Sequence, residues 1–392
     1  MAVLEPSSAD EICGLVADAA AAGARLEIRG GGSKADIGAP DRAAAILSTR
    51  ALAGVVDYDP PELVLTAMAG TPLAQIEALV AAKDQMLAFA PFDHGPIFGR
   101  PSGAATIGGV VAAGVSGSSR LSAGAARDHL LGFEAVSGRG ERFVGGAKVV
   151  KNVTGYDLPK VMAGSWGRLA VMTQVTLKVL PRPRTRATLV VTGLSAAAAH
   201  GAMALAMRSQ AEVSAAAHLP AASPGAVAMT GFRLQGFGPS VAARCEMLLP
   251  LLSAIGPVDR LGEREADGFW DAVRDVTPLG LERPLWRVNT PPSGGCAVVA
   301  ALEPLGATWL FDWAGGLVWL AFDGDPELVR AAASTAGGHA TLVRAPADMR
   351  ATVPAQHPEA AGVAALSRRV RQTFDPAGVF ETGRFLDRPD AD

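Results

Sequence analysis

The chain reads as an α+β protein in two parts, and three observations carry that prediction. Strand-like and helical periodicities alternate up to Leu180, a basic proline-bearing stretch interrupts them at Pro181-Arg-Pro-Arg-Thr-Arg186, and a fresh β-α-β alternation then begins. A length of 392 residues exceeds what one ordinary domain needs, and a 49% hydrophobic composition can bury a core in each part.

Residues 9 to 22 carry apolar positions at helical spacing, and Ser8 stands where it can cap them. Leu26-Glu-Ile-Arg29 is a short strand running into a glycine loop. Strands are expected at Ala45 to Thr49, Gly54 to Tyr58 and Leu63 to Ala69, and Thr71-Pro72 opens a helix through Ala82, since proline costs little where no N–H is needed. Leu130 to Val144 reads as a hairpin about Ser-Gly-Arg-Gly, and Leu169 to Leu180 as one strand. The prolines then break the pattern, which predicts a domain boundary.

In the second part the expected order is strand Ala187 to Thr192, helix Ser195 to Arg208, strand Val227 to Leu234, helix Ser240 to Ile255 and strand Val258 to Leu261. Two such units predict an antiparallel sheet with helices on one face. Thr308 to Trp313 and Leu317 to Phe322 form a hairpin about Ala314-Gly315-Gly316, a helix begins near Asp325, and another spans Glu359 to Thr373. Glu263-Arg-Glu265 and Arg368-Arg-Val-Arg371 read as solvated helix faces.

Several functional classes are disfavoured at once. Charged residues make up 19% of the chain and the formal net charge is -3, so no basic field marks a nucleic-acid partner. Cys13, Cys245 and Cys296 are an odd set without Cys-x-x-Cys spacing, which argues against a disulfide framework or an iron–sulfur cluster carried here and fits a reducing cytoplasm. The first ten residues lack a basic, apolar leader pattern. The most apolar long window, Ala297 to Phe322, is broken by Glu303, Pro304, Asp312 and Gly315-Gly316, so it predicts strands and a turn rather than a membrane span. His94, His129, His200, His218, His339 and His357 show no metal-ligand spacing, and no metal is expected; most read as surface or core fillers.

Two glycine clusters carry the chemistry. In Arg29-Gly-Gly-Gly-Ser-Lys34 the glycines let successive amide N–H groups share one concavity, with two cations beside them, which suits a pyrophosphate; an ordinary turn is the alternative. The run Ser102 to Arg120 keeps bulk off an entire surface, with Arg100, Arg120 and Arg127 alongside, as a buried, extended anion requires; close helix packing is the alternative. Neither is a Walker loop or a Gly-x-Gly-x-x-Gly helix start. Asp93-His94 between prolines predicts a fixed loop near the same site. In Trp286-Arg287-Val-Asn289, Arg287 could hold a carboxylate bidentately and Trp286 could wall a site, or the pair could be structural.

Arg29 to Lys34, Ser102 to Gly117, Gly124 to Gly132, Asn152 to Asp157 and Gly164-Ser-Trp-Gly167 follow in the order and spacing of the PCMH-type FAD-binding domain of the vanillyl-alcohol oxidase superfamily. Within it, the chain resembles the smaller flavin-binding subunits of bacterial glycolate oxidases, well in its first half and loosely in its second, where Asp375-Pro376 and Gly378 are similar to a tail returning to the flavin. The resemblance implies a two-subdomain FAD-binding domain over 1–182, an α+β cap with an antiparallel sheet over 183–345, and a C-terminal segment, 346–392, packed back on the first domain.

It also implies that Arg29, Gly30, Gly31, Gly32, Ser33 and Lys34 form one pyrophosphate loop and Gly103, Thr106, Gly108 and Gly109 the opposing one. Gly114 and Ser116 would line the ribityl path, Arg127 and Asp128 would position the cofactor, Gly155 and Tyr156 would touch its surroundings, and Gly164, Gly167 and Val171 would border the adenine half. Gly32-Ser33 stands where covalent members carry a histidine, so the FAD is expected to be non-covalent. Glu381-Thr-Gly383 replaces the Asn-Pro-Gly common in relatives.

The implied activity is oxidation of glycolate to glyoxylate, a small 2-hydroxy acid giving up a hydride. The implied partners are a homologous larger flavin subunit and an iron–sulfur subunit, with any membrane contact at its cytoplasmic face made through them. No catalytic base is evident; Tyr156, which could equally be a packed core ring, and Arg287 are the candidates. An autonomous flavoenzyme acting on another hydroxy acid or alcohol, and a scaffold subunit that has kept only the fold, are the alternatives.

Overall fold

The computed structural model describes residues 2–40, 43–147, 155–221, 223 and 225–385. Its first part holds two main sheets and one two-stranded ladder. Ala2–Leu4, Ala45–Ser48 and Leu26–Arg29 form a parallel three-stranded sheet with Ala45–Ser48 in the middle. Val55–Asp59, Val64–Met68, Ala170–Lys178, Leu130–Ser137 and Arg142–Gly146 form, in that spatial order, an antiparallel sheet of five. The N-terminal helix Ala9–Ala22 begins at Ser8, whose hydroxyl accepts the Glu11 N–H at 3.2 Å, a cap worth about 1 kcal/mol. Ile12, Val16 and Ala19 on one stripe of that helix pack with Leu26, Leu47, Val136 and Val171 and so tie the two sheets together.

The expected single strand from Leu169 to Leu180 is divided. Ala170–Lys178 belongs to the five-stranded sheet, while Leu180–Pro181 pairs with Gln85–Met86, and the Arg182 N–H donates to the Asp84 carbonyl at 2.7 Å. Proline at 181 has no N–H for a central ladder, so the chain leaves the sheet there and reaches its next strand at Thr185.

All eight strands of the remaining sheet fall between Thr185 and Arg344. Their order is Val258–Arg260, Thr185–Thr192, Met229–Gly236, Ala215–Leu219, Thr308–Asp312, Leu317–Ala321, Leu285–Asn289 and His339–Arg344, antiparallel at every pairing. Side-chain alternation sorts this sheet into two faces. Leu189, Val191, Ala216, Phe232, Trp286, Val288 and Phe311 meet the helices Ala196–Arg208, Gly238–Ser253, Gly295–Leu302 and Pro326–Thr335 in the largest core. Leu285, Leu310, Leu317 and Trp319 point the other way, toward Ile37 and Ile97 of the first part and Phe385 of the C-terminal tail. One helix departs from the expected one-sided cover: Glu263–Asp275 sets Phe269 and Val273 against Ala217 in a separate cluster. Strand Ala215–Leu219 was not anticipated, because Ala215, Ala216 and Ala217 give no polar alternation to read.

After helix Ala361–Phe374 the chain turns back onto the three-stranded sheet. Asp375, 5% exposed, accepts the N–H groups of Val379 and Phe380 at 2.9 and 2.8 Å, and the Val379 carbonyl accepts the Leu26 N–H at 2.8 Å. Burial raises the Asp375 pKa, and the two N–H donors partly offset that. Among the described residues no helix is long and apolar enough to cross a membrane.

Candidate functional site

The two glycine clusters meet. A Cβ on Gly31 would lie 1.3 Å from the Ala104 carbonyl oxygen and one on Gly30 would lie 2.2 Å from Thr106 Oγ1, so the first loop crosses the second at backbone contact. Gly108 is held as tightly, since its Cβ would come within 2.7 Å of Ala69. Between the loops lies a cavity of about 700 Å³. Arg29, Gly30, Gly31, Gly32, Ser33 and Lys34 line it from one side, and Thr106, Gly108, Gly109 and Gly167 from the other.

The loops differ in what their amides do. In the second, the N–H groups of Ile107, Gly108 and Gly109 donate to the Thr71 carbonyl, the Ala69 carbonyl and Thr106 Oγ1. In the first, the N–H groups of Gly31, Gly32, Ser33 and Lys34 have no acceptor among the described residues, and Gly32 has a φ of +81° that glycine takes without strain. Lys34 is only 8% exposed and its ammonium meets a single hydroxyl, Ser33 Oγ at 3.2 Å. Desolvation draws its pKa down to about 8, with a nearby Asp93 opposing. Free amides in series beside a buried cation form an anion nest, so the residues present fit a pyrophosphate.

The tail closes this cavity. Arg384 lines it, and its guanidinium donates to the Ile37 carbonyl at 2.7 Å and to the Lys34 carbonyl. Glu27, 4% exposed, pairs with Arg29 at 2.5 Å and with Arg384 at 3.5 Å, fixing both arginines at the rim. Glu381 receives both nitrogens of a fork from Arg168 at 3.1 and 3.0 Å. Arg384 was not foreseen, because nothing local marks it.

Ala113 and Trp166 are shared with a second, larger cleft of about 1630 Å³, which opens toward the eight-stranded sheet. Gly114, Ser116, Arg127 and Gly164 line this one. Strand alternation sends Arg287 and Asn289 into it, while Trp286 is fully buried in the opposite core. Trp286 therefore walls no site; the buried Trp313 instead backs two arginines of the cleft, with the Arg120 guanidinium 4.3 Å and the Arg287 guanidinium 4.9 Å from its ring centre. Trp313 and Ala314 hold φ of +52° and +53° at the hairpin tip, a strained backbone that the packing enforces. Arg287 makes no hydrogen bond to a described residue, and burial, then Arg120, lowers its pKa to about 10.

His94, His339 and His357 line this cleft, so three histidines that looked scattered converge through the fold. Burial pushes His94 well below its ordinary pKa, and the charges of Lys34 and Arg287 add to the shift, so the ring is neutral. It stacks on Phe92 with ring centres 4.7 Å apart. His339 lies 3.0 Å from the Asn289 amide, and burial lowers its pKa also. Among the described residues no three His, Cys, Asp or Glu side chains converge as a metal-ligand set. His129 and His218 are core residues.

Asp93 ties the second loop to the Phe92–His94 stretch that lines the cleft: its carboxylate accepts the N–H groups of Gly95, Gly103 and Ala105 at 2.7, 2.9 and 2.7 Å. Gly103 thus anchors the second loop without lining the cavity. Asp128 caps locally, accepting the Ala125 N–H at 2.8 Å. Val171 lines neither cavity and is buried under the N-terminal helix, while Ala170 and Met172 beside it line the first. Tyr156 is 90% exposed and lines neither, so it is not a packed core ring; Gly155 beside it is exposed too. The Asn152 to Thr154 part of their motif lies outside the described residues.

Comparison with known proteins agrees with this geometry. Residues 1–145 match the family model described as FAD binding domain. Glycolate oxidase subunit GlcE of Escherichia coli (strain K12) is 35% identical over 361 residues, covering 92% of each chain. A D-lactate dehydrogenase of Archaeoglobus fulgidus is 31% identical over 192 residues, 48% of this chain and 41% of that protein. Among solved structures, p-cresol methylhydroxylase with substrate bound superposes with a TM-score of 0.72 at 14% identity, covering all of this chain and 89% of its own. An alkyldihydroxyacetonephosphate synthase gives a TM-score of 0.67 at 14% identity, covering 97% of this chain and 76% of its own. The fold is that of PCMH-type flavoenzymes, and the chain belongs to the family of FAD-binding glycolate oxidase subunits that includes GlcE.

Proposed function

We propose that this chain is the FAD subunit of a glycolate oxidase complex, in which glycolate becomes glyoxylate and electrons leave through the flavin to an iron–sulfur partner. The observation that carries the reading is the pairing of a pyrophosphate nest with an adjoining cleft that holds a guanidinium, Arg287, with no carboxylate or hydrogen-bond partner among the described residues. Bound FAD supplies a two-electron acceptor for a hydride from a hydroxyl-bearing carbon.

The chain's own residues do the rest. Arg29 to Lys34 and Arg384 hold the dinucleotide phosphates without covalent attachment, and Thr106, Gly108, Gly109 and Gly167 admit its flat body. Arg287 receives the substrate carboxylate as a fork, and the indole of Trp313 keeps that fork oriented. The neutral rings of His94 and His339 offer proton acceptors in the same cleft. We assign residues 1–182 to flavin binding, 183–345 to a cap, and the remainder to a tail that closes the nest. Cys13, Cys245 and Cys296 are separate free thiols whose pKa burial raises, so an iron–sulfur centre must come from a partner. A cytoplasmic place, with any membrane contact made through partners, follows from the same reading.

The test is to purify the chain alone and with its co-purifying partners and to follow flavin bleaching by glycolate. Stoichiometric FAD released by acid, with fast bleaching only in the assembly, is expected. Flavin that stays with the precipitated polypeptide overturns non-covalent binding.

A second reading is favoured by one observation, the presence of Arg287, His94 and His339 in a single cleft of this chain. It is an autonomous flavoenzyme for a 2-hydroxy acid. Bleaching of the isolated chain at the rate of the assembly would establish it and remove the division of labour.

A further inference from the structure

A third cleft, about 2120 Å³ including its open mouth, lies between the stretch Arg182–Arg186, the edge strand Val258–Arg260, the helix Glu263–Asp275 and the loop at Ala90. Gly117, Ser118 and Ser119 form part of its wall, so a septum of a few residues separates it from the cleft lined by Gly114 and Ser116. Nothing in the flavin chemistry uses it.

Its charge is organised. Arg182, Arg184 and Arg186 line it where the chain leaves Pro181 and enters the strand Thr185–Thr192. Arg233 and Arg260 join them from the sheet. Four carboxylates are also present. Asp271 is taken by Arg274 at 2.8 Å, Asp267 stands 3.9 Å from Arg186, Glu263 opens its helix, and Glu77 has its pKa raised by burial while Arg274 opposes. Arg182, Arg184, Arg233 and Arg260 have no carboxylate within 4.0 Å among the described residues. Arg233 is the built part of the site: its guanidinium lies 4.6 Å from the Trp270 ring centre, one nitrogen donates to Ser119 Oγ at 2.7 Å, and Nε is buried without an acceptor. Burial lowers its pKa to about 10, with Asp312 opposing, so the cation is held at a cost that an incoming anion would offset.

We propose that this cleft receives an acidic segment of a partner polypeptide, with carboxylates against Arg182, Arg184 and Arg186 and a further one at Arg233. Five arginines, drawn from residues 182–186, from strand Met229–Gly236 and from the edge strand Val258–Arg260, line a cleft larger than a phosphate or citrate ion fills, and an acidic chain complements their charge. The interspersed carboxylates disfavour a nucleic-acid strand, whose every unit is anionic. The proposal rests on the reading that the chain works in a complex, and it holds whichever hydroxy acid is oxidised.

The test titrates the FAD-loaded chain into a fluorescein-labelled nine-residue peptide of alternating Glu and Ser and follows polarisation. Saturable binding is expected, and the R182S/R184S/R186S variant should weaken it about tenfold at unchanged FAD content, as three partly exposed ion pairs allow. R25S/R139S/R208S, with the same loss of charge elsewhere, should leave it within twofold. Should the first variant fold poorly, R182E/R184E/R186E offers the converse reading, gaining affinity for a Lys-Ser peptide. Equal weakening by both serine variants, full competition by citrate at equal concentration, equal binding of an oligonucleotide, or no saturation would each overturn the proposal. None of these outcomes touches glycolate oxidation, so failure here is distinct from failure of the flavin reading.

Discussion

The glycine nest and the arginine-lined cleft share Ala113 and Trp166 as a common wall, yet they are built by opposite means. In the nest, neighbours in sequence do the work, because loop Arg29–Lys34 and the run from Thr106 each present several lining residues in a row. Its specificity is mainly steric: small residues stand wherever a Cβ would strike backbone. In the cleft the groups with charge or titratable rings are scattered, with His94, Arg120, Arg287 and His339 drawn from four places in the chain. Its specificity is electrostatic and depends on burial. Changes in the nest should therefore decide whether flavin is present, and changes in the cleft what happens once it is.

The largest expected effect tests the steric half of that contrast. Gly31→Val and Gly108→Leu should abolish flavin absorbance, since each would press a side chain into backbone. Gly32→Ala meets only Arg29 Cδ at 3.7 Å and should cost about 1 kcal/mol through its positive φ, leaving most of the flavin bound. Normal yellow protein from Gly31→Val would break the comparison.

Next comes the cleft. Arg287→Met should raise the KM for glycolate by about 100-fold, as loss of a charge-assisted fork worth about 3 kcal/mol implies, while flavin content stays constant. A fall in flavin content with unchanged KM would move Arg287 from substrate to cofactor.

A smaller effect sharpens the electrostatics of the nest. Lys34 without its anion loses its proton near pH 8, and a bound pyrophosphate must raise that pKa. FAD affinity should then be flat below about pH 7.5 and fall up to tenfold per pH unit above 8, because binding there requires proton uptake. Lys34→Met should bind more weakly at pH 7 and show no such slope; a slope that survives the substitution would assign it to another group.

The smallest effect probes the joint between the two regions. Asp93→Asn leaves one acceptor where two oxygens now serve three N–H donors, so FAD affinity should drop about tenfold, or about 1.4 kcal/mol. An unchanged dissociation constant by fluorescence titration would show that the second loop keeps its shape alone.

Legibility in the sequence follows the same division. Ser8, the helix after it, the longer strands of the first part and the glycine loops were readable, because capping, periodicity and φ preference act over a few residues, whereas Ala2–Leu4 and Gln85–Met86 are too short to show a period. Where a reading missed, the deciding interaction was distant. Trp286 reads as a possible wall beside Arg287, but alternation about Arg287 turns it into the core, and the indole that backs Arg287 is Trp313. Val171 yields to Ala170 and Met172 for the same reason of period two. Tyr156 is exposed, and the six histidines carry no local pattern although three share a cleft.

By itself the sequence determined that a glycine loop flanked by cations stands here, since glycine, serine and lysine in one short run set backbone shape and charge locally, while the order of several such motifs pointed to the flavin. Only the tertiary structure decided which arginine faces the cleft, that the tail's Arg384 closes the nest, and that His94 stays neutral between two cations. Those outcomes depend on desolvation and on groups hundreds of residues apart. Burial and through-space charge have no period that a linear chain can show.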